Sequence, residues 1–187
     1  MANLDSYQIW KGFHWSFFID IQGLMICLRR FEESILAGSI SNAKLELETA
    51  ADLMLASGSA MELAGSFSKQ AYEQQVRPSM MPPYVRSDSF SGLMSWEHAS
   101  LIQLWKRLQP IFTTLPAALD PQHKRFIDAY SQLASSHRAV CQKFGGDDVG
   151  SLRCGNETAV QVLDKFSQQR QTLIAPKQKS CPFHHSH

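Results

Sequence analysis

Between Asp120 and Phe144 the chain reads DPQHKRFIDAYSQLASSHRAVCQKF, and this stretch restricts the fold more than any other. Phe126, Ile127, Tyr130, Leu133, Ala134, Val140 and Cys141 recur at helical spacing and form one apolar stripe. A helix with one such stripe needs other elements to cover it. Asp120 reads as the N-cap, its carboxylate accepting unpaired N–H groups of the first turn, and Pro121 as the first helical residue, where a missing N–H costs nothing. His137 falls on or beside the stripe, among Ala134, Ser135, Ser136 and Ala139. An imidazole on an apolar face, with small neighbours that let a flat partner approach, has what a proximal haem ligand needs. A satisfied core or surface histidine is the plainer reading of the same helix.

The rest of the chain is helical in pattern too. Residues 4–36 read as one long helix with Ile9, Phe13, Phe17, Leu24, Cys27, Leu28, Phe31 and Ile35 on a broad face, closed by Gly38. His14 lies in its most aromatic part, among Trp10, Phe13, Trp15, Phe17 and Phe18, which serves equally as a bulky packing face or as the wall of a pocket. A second helix is predicted from Ser41 to Val76, with Gly58 and Gly65 as bends or points of close packing and Glu46, Glu48 and Asp52 on a solvated face. A third runs from Ser95 to Phe112, and Pro110 and Pro116 punctuate the link to the His137 helix. Glu97 and His98 are adjacent and point about 100° apart on a helix, a poor metal pair. Asp120–His123 reads as capping. Asn156 is expected to cap a last helix reaching Ile174, with Val160, Leu163, Phe166 and Leu173 as its stripe.

The least regular segment, QQVRPSMMPPYVRSDSFSGLMSWEH, carries Pro78, Pro82 and Pro83 with many apolar residues. A long apolar loop in a compact domain packs against something and is often a binding segment. Arg77 closes the helix before it and suits a carboxylate, which a guanidinium holds with two parallel hydrogen bonds; pairing with a helix C-terminus or with solvent is the alternative. With 187 residues, 44% hydrophobic and 19% charged, the chain has one domain's worth of core, so residues 1–175 are expected to be one helical domain and 176–187 a flexible tail whose histidines have no role in the fold. A net charge of +1 without a basic run argues against nucleic acid. The run from Phe13 to Leu28 is broken by His14, Asp20 and Gln22 and is too short to span a membrane. Four cysteines without a CxxC pattern, and no secretory signal, fit a reduced cytoplasmic protein.

Four segments together resemble the catalytic domain of the indoleamine and tryptophan 2,3-dioxygenase haem proteins and of the related haem enzyme of pyrrolnitrin biosynthesis. KGFHWSFF resembles their distal wall, YEQQVR their substrate-carboxylate segment, and FSGLMSWEHASL the stretch that passes over the haem. LASSHRAVCQKF followed by RCGNETAVQVLDKF resembles their proximal-histidine helix, lid loop and closing helix. The loop keeps one Gly and one Thr, and the extra N-terminal domain of the indoleamine enzymes has no counterpart.

The resemblance implies an all-α fold, a single bundle of about five main helices, and a haem b whose iron is bound by His137, with Gly92, Met94 and Ala134 beside the macrocycle. It implies an apolar box of Trp15, Phe17, Tyr72, Phe90 and Leu93 for a planar substrate. Arg77 would take the carboxylate, Ser95 or Thr158 the amine, and His14 would be the catalytic distal group. The function implied is haem-dependent oxygenation, with O₂, of an indole or other aromatic amino-acid-derived substrate in secondary metabolism. Two other classes stay open: a haem-binding or sensing protein without turnover, and a haem-free helical interaction module. Helices of this length pack as a monomer or as a homodimer.

Overall fold

In the computed structural model the described residues are 5–86, 95–147 and 157–175. Five long helices carry the fold: α1 (Ser6–Leu36), α2 (Ile40–Ala64), α3 (Trp96–Thr113), α4 (Asp120–Lys143) and α5 (Ala159–Ile174). No strand occurs among the described residues, and none of their helices is long and apolar enough to cross a membrane.

The Asp5 carboxylate caps α1 by accepting from the Tyr7 N–H at 3.3 Å. The helix ends just before Gly38, which holds φ +70°, a left-handed conformation that costs glycine nothing. The short turn folds α2 back along α1, and Leu24, Leu28 and Phe31 share a core with Leu47, Ala50, Ala51 and Met54. α2 buries small residues, including Ala43, Ala51, Ser57, Gly58 and Ala64, on more than one side, so α1 and α4 both pack closely on it. A Cβ at Gly58 would stand 3.5 Å from the Leu133 Cα, and one at Gly65 would stand 2.8 Å from a Val140 methyl.

α2 does not run on to Val76 as its sequence suggests. The chain leaves α2 at Gly65, where Val140 occupies the space of a side chain. Ser68 caps a new start, a short helix Lys69–Ala71 that continues as a π turn, Tyr72–Val76, and a 3₁₀ turn, Arg77–Met80.

Four other local expectations are corrected. Pro110 lies inside α3 rather than in a link; Phe112 is buried beyond it, and the Thr113 and Thr114 hydroxyls donate to the Gln109 and Pro110 carbonyls. Asp120 is not the cap of α4, because a 3₁₀ turn, Ala117–Leu119, runs straight into the helix and Leu119 takes that position; the carboxylate instead lies in the first turn, where the helix dipole favours it. Glu46 is 6% exposed, not solvated: Arg30 pairs with it at 2.7 Å across the α1–α2 seam, and the Cys27 thiol bonds to it. Cys27 and Cys141 are free thiols. Asn156, Cys154, Cys181 and the tail 176–187 lie outside the described residues. The cap of α5 is Thr158 rather than the expected Asn156, and Thr158 exchanges hydrogen bonds with Gln161 in a capping box.

α3 packs on α1 and α5, and α4 packs on α2 and α5, while the backbones of α3 and α4 make few close approaches. The gap between them holds the site.

Candidate functional site

Each helix around this gap turns one face to it. α3 presents His98, Leu101, Ile102 and Trp105; α4 presents Tyr130, Leu133, Ala134 and His137 at the same i, i+3, i+4, i+7 spacing. Phe17 and Ile21 of α1, and Leu163, Ser167 and Arg170 of α5, complete the wall of a cavity of about 50 Å³. The close approach at Gly58 brings Leu133, and with it the His137 face of α4, against α2.

The two histidines come from different helices. Burial away from water, reinforced by the Arg170 charge, pushes His137 down to about 4 and His98 down to about 3. Both rings are therefore neutral at pH 7, each with a nitrogen lone pair. His98 Nδ1 lies 3.4 Å from the Ser95 hydroxyl, which also accepts the His98 backbone N–H at 3.3 Å, and Phe17 stacks on its ring at 6.1 Å. The Arg170 guanidinium sits 5.4 Å over the Phe166 ring and bonds to the Tyr130 hydroxyl, which donates to the Ser167 carbonyl at 3.3 Å. Trp105 meets Tyr130 edge to face at 5.2 Å, and its buried indole N–H has no hydrogen-bond acceptor among the described residues.

Of the residues singled out from sequence, His137, Phe17 and Ala134 line this cavity. His14 does not; its Nδ1–H donates to the Trp10 carbonyl at 2.9 Å, and burial lowers its pKa. Trp15 is 63% exposed on the outer face of α1 and takes no part in the wall. Tyr72 stacks on Phe144 at 4.3 Å, with its hydroxyl bonded to Arg77; neither lines the cavity. Cys141, one turn beyond His137 and near Tyr72, is a neutral thiol pushed up to about 11 by burial. Ser95 and Thr158 spend their hydroxyls on helix caps. Phe90, Gly92, Leu93 and Met94 lie outside the described residues.

Sequence reasoning missed His98 and Arg170. His98 was weighed only beside Glu97, although it stands seven residues before Trp105 on the same face. Arg170 stands seven residues after Leu163 and so continues the apolar stripe of α5. A polar residue on the repeat of a stripe was the signal.

Comparison with known proteins bears on what such a cavity serves. The model of the family described as SfmD 3-methyl-L-tyrosine peroxygenase matches residues 2–124. The chain belongs to that family. It is also 28% identical over 173 residues to a 3-methyl-L-tyrosine peroxygenase of Streptomyces lavendulae, covering 91% of this chain and 47% of that one. So extended a match includes both His98 and His137, and the chain spans about half the length of this relative. No solved structure matches.

The donors and the walls are of the kind that a haem takes, while the volume is not. Two neutral imidazoles face one gap, the other walls are largely apolar, and an arginine is among the lining residues. The unpaired Trp105 N–H is a wall group that a bound molecule would satisfy. At about 50 Å³ the cavity holds a water or two, so a porphyrin needs α3 and α4 further apart. These two helices meet through side chains rather than through close backbone packing, so that separation parts the buried Trp105–Tyr130 contact.

Proposed function

We propose that this chain binds haem between α3 and α4 and hydroxylates the ring of a tyrosine-derived amino acid with a peroxide as oxygen donor. The observation that carries the reading is the pair of neutral histidines, from two helices, on one largely apolar cavity. The substrate class and the oxygen donor follow the name of the relative, 3-methyl-L-tyrosine peroxygenase. They narrow the indole or other aromatic amino-acid-derived substrate that the dioxygenase resemblance implied, and put a peroxide in the place of O₂. We keep that resemblance as part of the proposal, supported by the all-helical fold and by a histidine of α4 on the cavity.

His137 and His98 would hold the iron. The bound haem supplies the redox chemistry by which an aromatic C–H and hydrogen peroxide become a phenol and water. The protein contributes the rest. Ser95 holds the far nitrogen of His98 and so fixes the ring. Phe17, Leu101, Ile102 and Leu163 exclude water from the reacting centre. Trp105 and Tyr130, edge to face, stiffen the wall against which a flat substrate lies. Orientation and dryness are what a protein adds to a cofactor's own chemistry.

The test is the absorption spectrum of the chain titrated with haemin, for wild type, His137→Ala and His98→Ala. We expect one haem per chain and a Soret band displaced in both variants. A wild-type chain without a stoichiometric Soret band ends the haem reading. Mass spectrometry after incubation of the loaded chain with 3-methyl-L-tyrosine and ¹⁸O-labelled peroxide then tests turnover, the label appearing in the product.

A further inference from the structure

We propose that Arg170 is the carboxylate-binding group of the cavity, the role that the sequence suggests for Arg77. The inference rests on the reading of the cavity as a site for haem and an aromatic amino acid, both of which carry carboxylates. Among the described residues that line the cavity, Arg170 is the cation and none is Asp or Glu. The guanidinium shares the wall with two neutral rings and apolar side chains, where low polarity strengthens its attraction for an anion. The guanidinium is oriented in advance: the Phe166 ring lies beneath it, and the Tyr130 hydroxyl, itself tied to the Ser167 carbonyl, bonds to it. A guanidinium so placed offers parallel N–H groups to a carboxylate. Arg170 lines the same cavity as His98 of α3 and His137 of α4. Arg77, by contrast, is engaged with Tyr72 away from the cavity wall.

The carboxylate has two sources, a haem propionate or the amino acid, and equilibrium binding separates them. One arm compares haemin with haemin dimethyl ester, read by absorbance. The other compares 3-methyl-L-tyrosine with 3-methyltyramine, which lacks the carboxylate, read by calorimetry. Wild type, Arg170→Gln, Arg170→Lys and Arg77→Gln are compared. Wild type should favour the acid over its neutralised partner by roughly 10- to 100-fold in at least one arm, the scale of a charged hydrogen bond. Arg170→Gln should abolish that preference and Arg77→Gln should leave it. The arm in which the preference disappears names the source. No acid preference in wild type, or loss of the preference in Arg77→Gln but not in Arg170→Gln, overturns the proposal. If Arg170→Gln fails to fold by circular dichroism, Arg170→Lys decides: it keeps the charge but not the fork, so the preference should fall roughly tenfold, and an undiminished preference overturns the proposal. Should haemin give no stoichiometric Soret band, the haem reading fails, while the amino-acid arm still decides Arg170.

Discussion

Acid should unfold the haem-free chain through the two cavity histidines. In the unfolded chain a histidine titrates near 6.5, whereas in the fold His137 titrates at about 4 and His98 at about 3. Between these limits the unfolded state holds more protons, so stability rises with pH across the window and is lost as pH falls through it. Taking pH 8 as reference, the difference in proton binding at pH 5 amounts to about 2 kcal/mol for each histidine and about 4 kcal/mol for the pair. That is a large share of the 5–15 kcal/mol that typically separates folded from unfolded domains. Urea unfolding at pH 8, 6.5 and 5, in wild type and in a His98→Gln/His137→Gln double variant, isolates the effect, because other titrating groups act in both proteins. The double variant should lose about 4 kcal/mol less than wild type between pH 8 and pH 5. Equal losses would refute the reasoning, since they would mean that the rings are protonated as easily in the fold as in the unfolded chain. His14 and His123, also lowered by burial, steepen the common background in the same direction.

Two substitutions test the packing behind the site. Gly65→Ala should destabilise the chain by about 1–3 kcal/mol, because the new methyl meets Val140 at 2.8 Å while the backbone there suits alanine; in a Val140→Ala background the same change should be close to neutral in urea melts. Ser95→Ala should cost about 1 kcal/mol through the lost α3 cap and should also shift the His98 ring ¹⁵N resonances, whereas Ser95→Thr should restore both.

How far the chain could be read unaided varies with the kind of information. Five helices were legible because each buries a stripe with a period near 3.6 residues and ends at a recognisable cap or at Gly38. His137 announces itself by falling on or beside a stripe, whereas the caps at Ser95 and Thr158 were not read from the sequence, which pointed to Asn156 for the last helix. Gly65 was legible as a bend or a point of close packing, but its partner was not, being a methyl of Val140, distant in sequence. Nor was the burial of Glu46, which depends on Arg30 from another helix.

Local periodicity and capping are properties of neighbours along the chain, so the sequence by itself determined the helices, their faces and the candidacy of His137. Which faces meet depends on packing between elements remote in sequence. Only the tertiary structure decided that His98 and Arg170 share a cavity with His137, that Trp15 lies outside it, and that Arg77 is spent on Tyr72. The physical reason is that α3 and α4 stand apart, held by α1, α2 and α5, and no pattern within α3 or α4 encodes that gap.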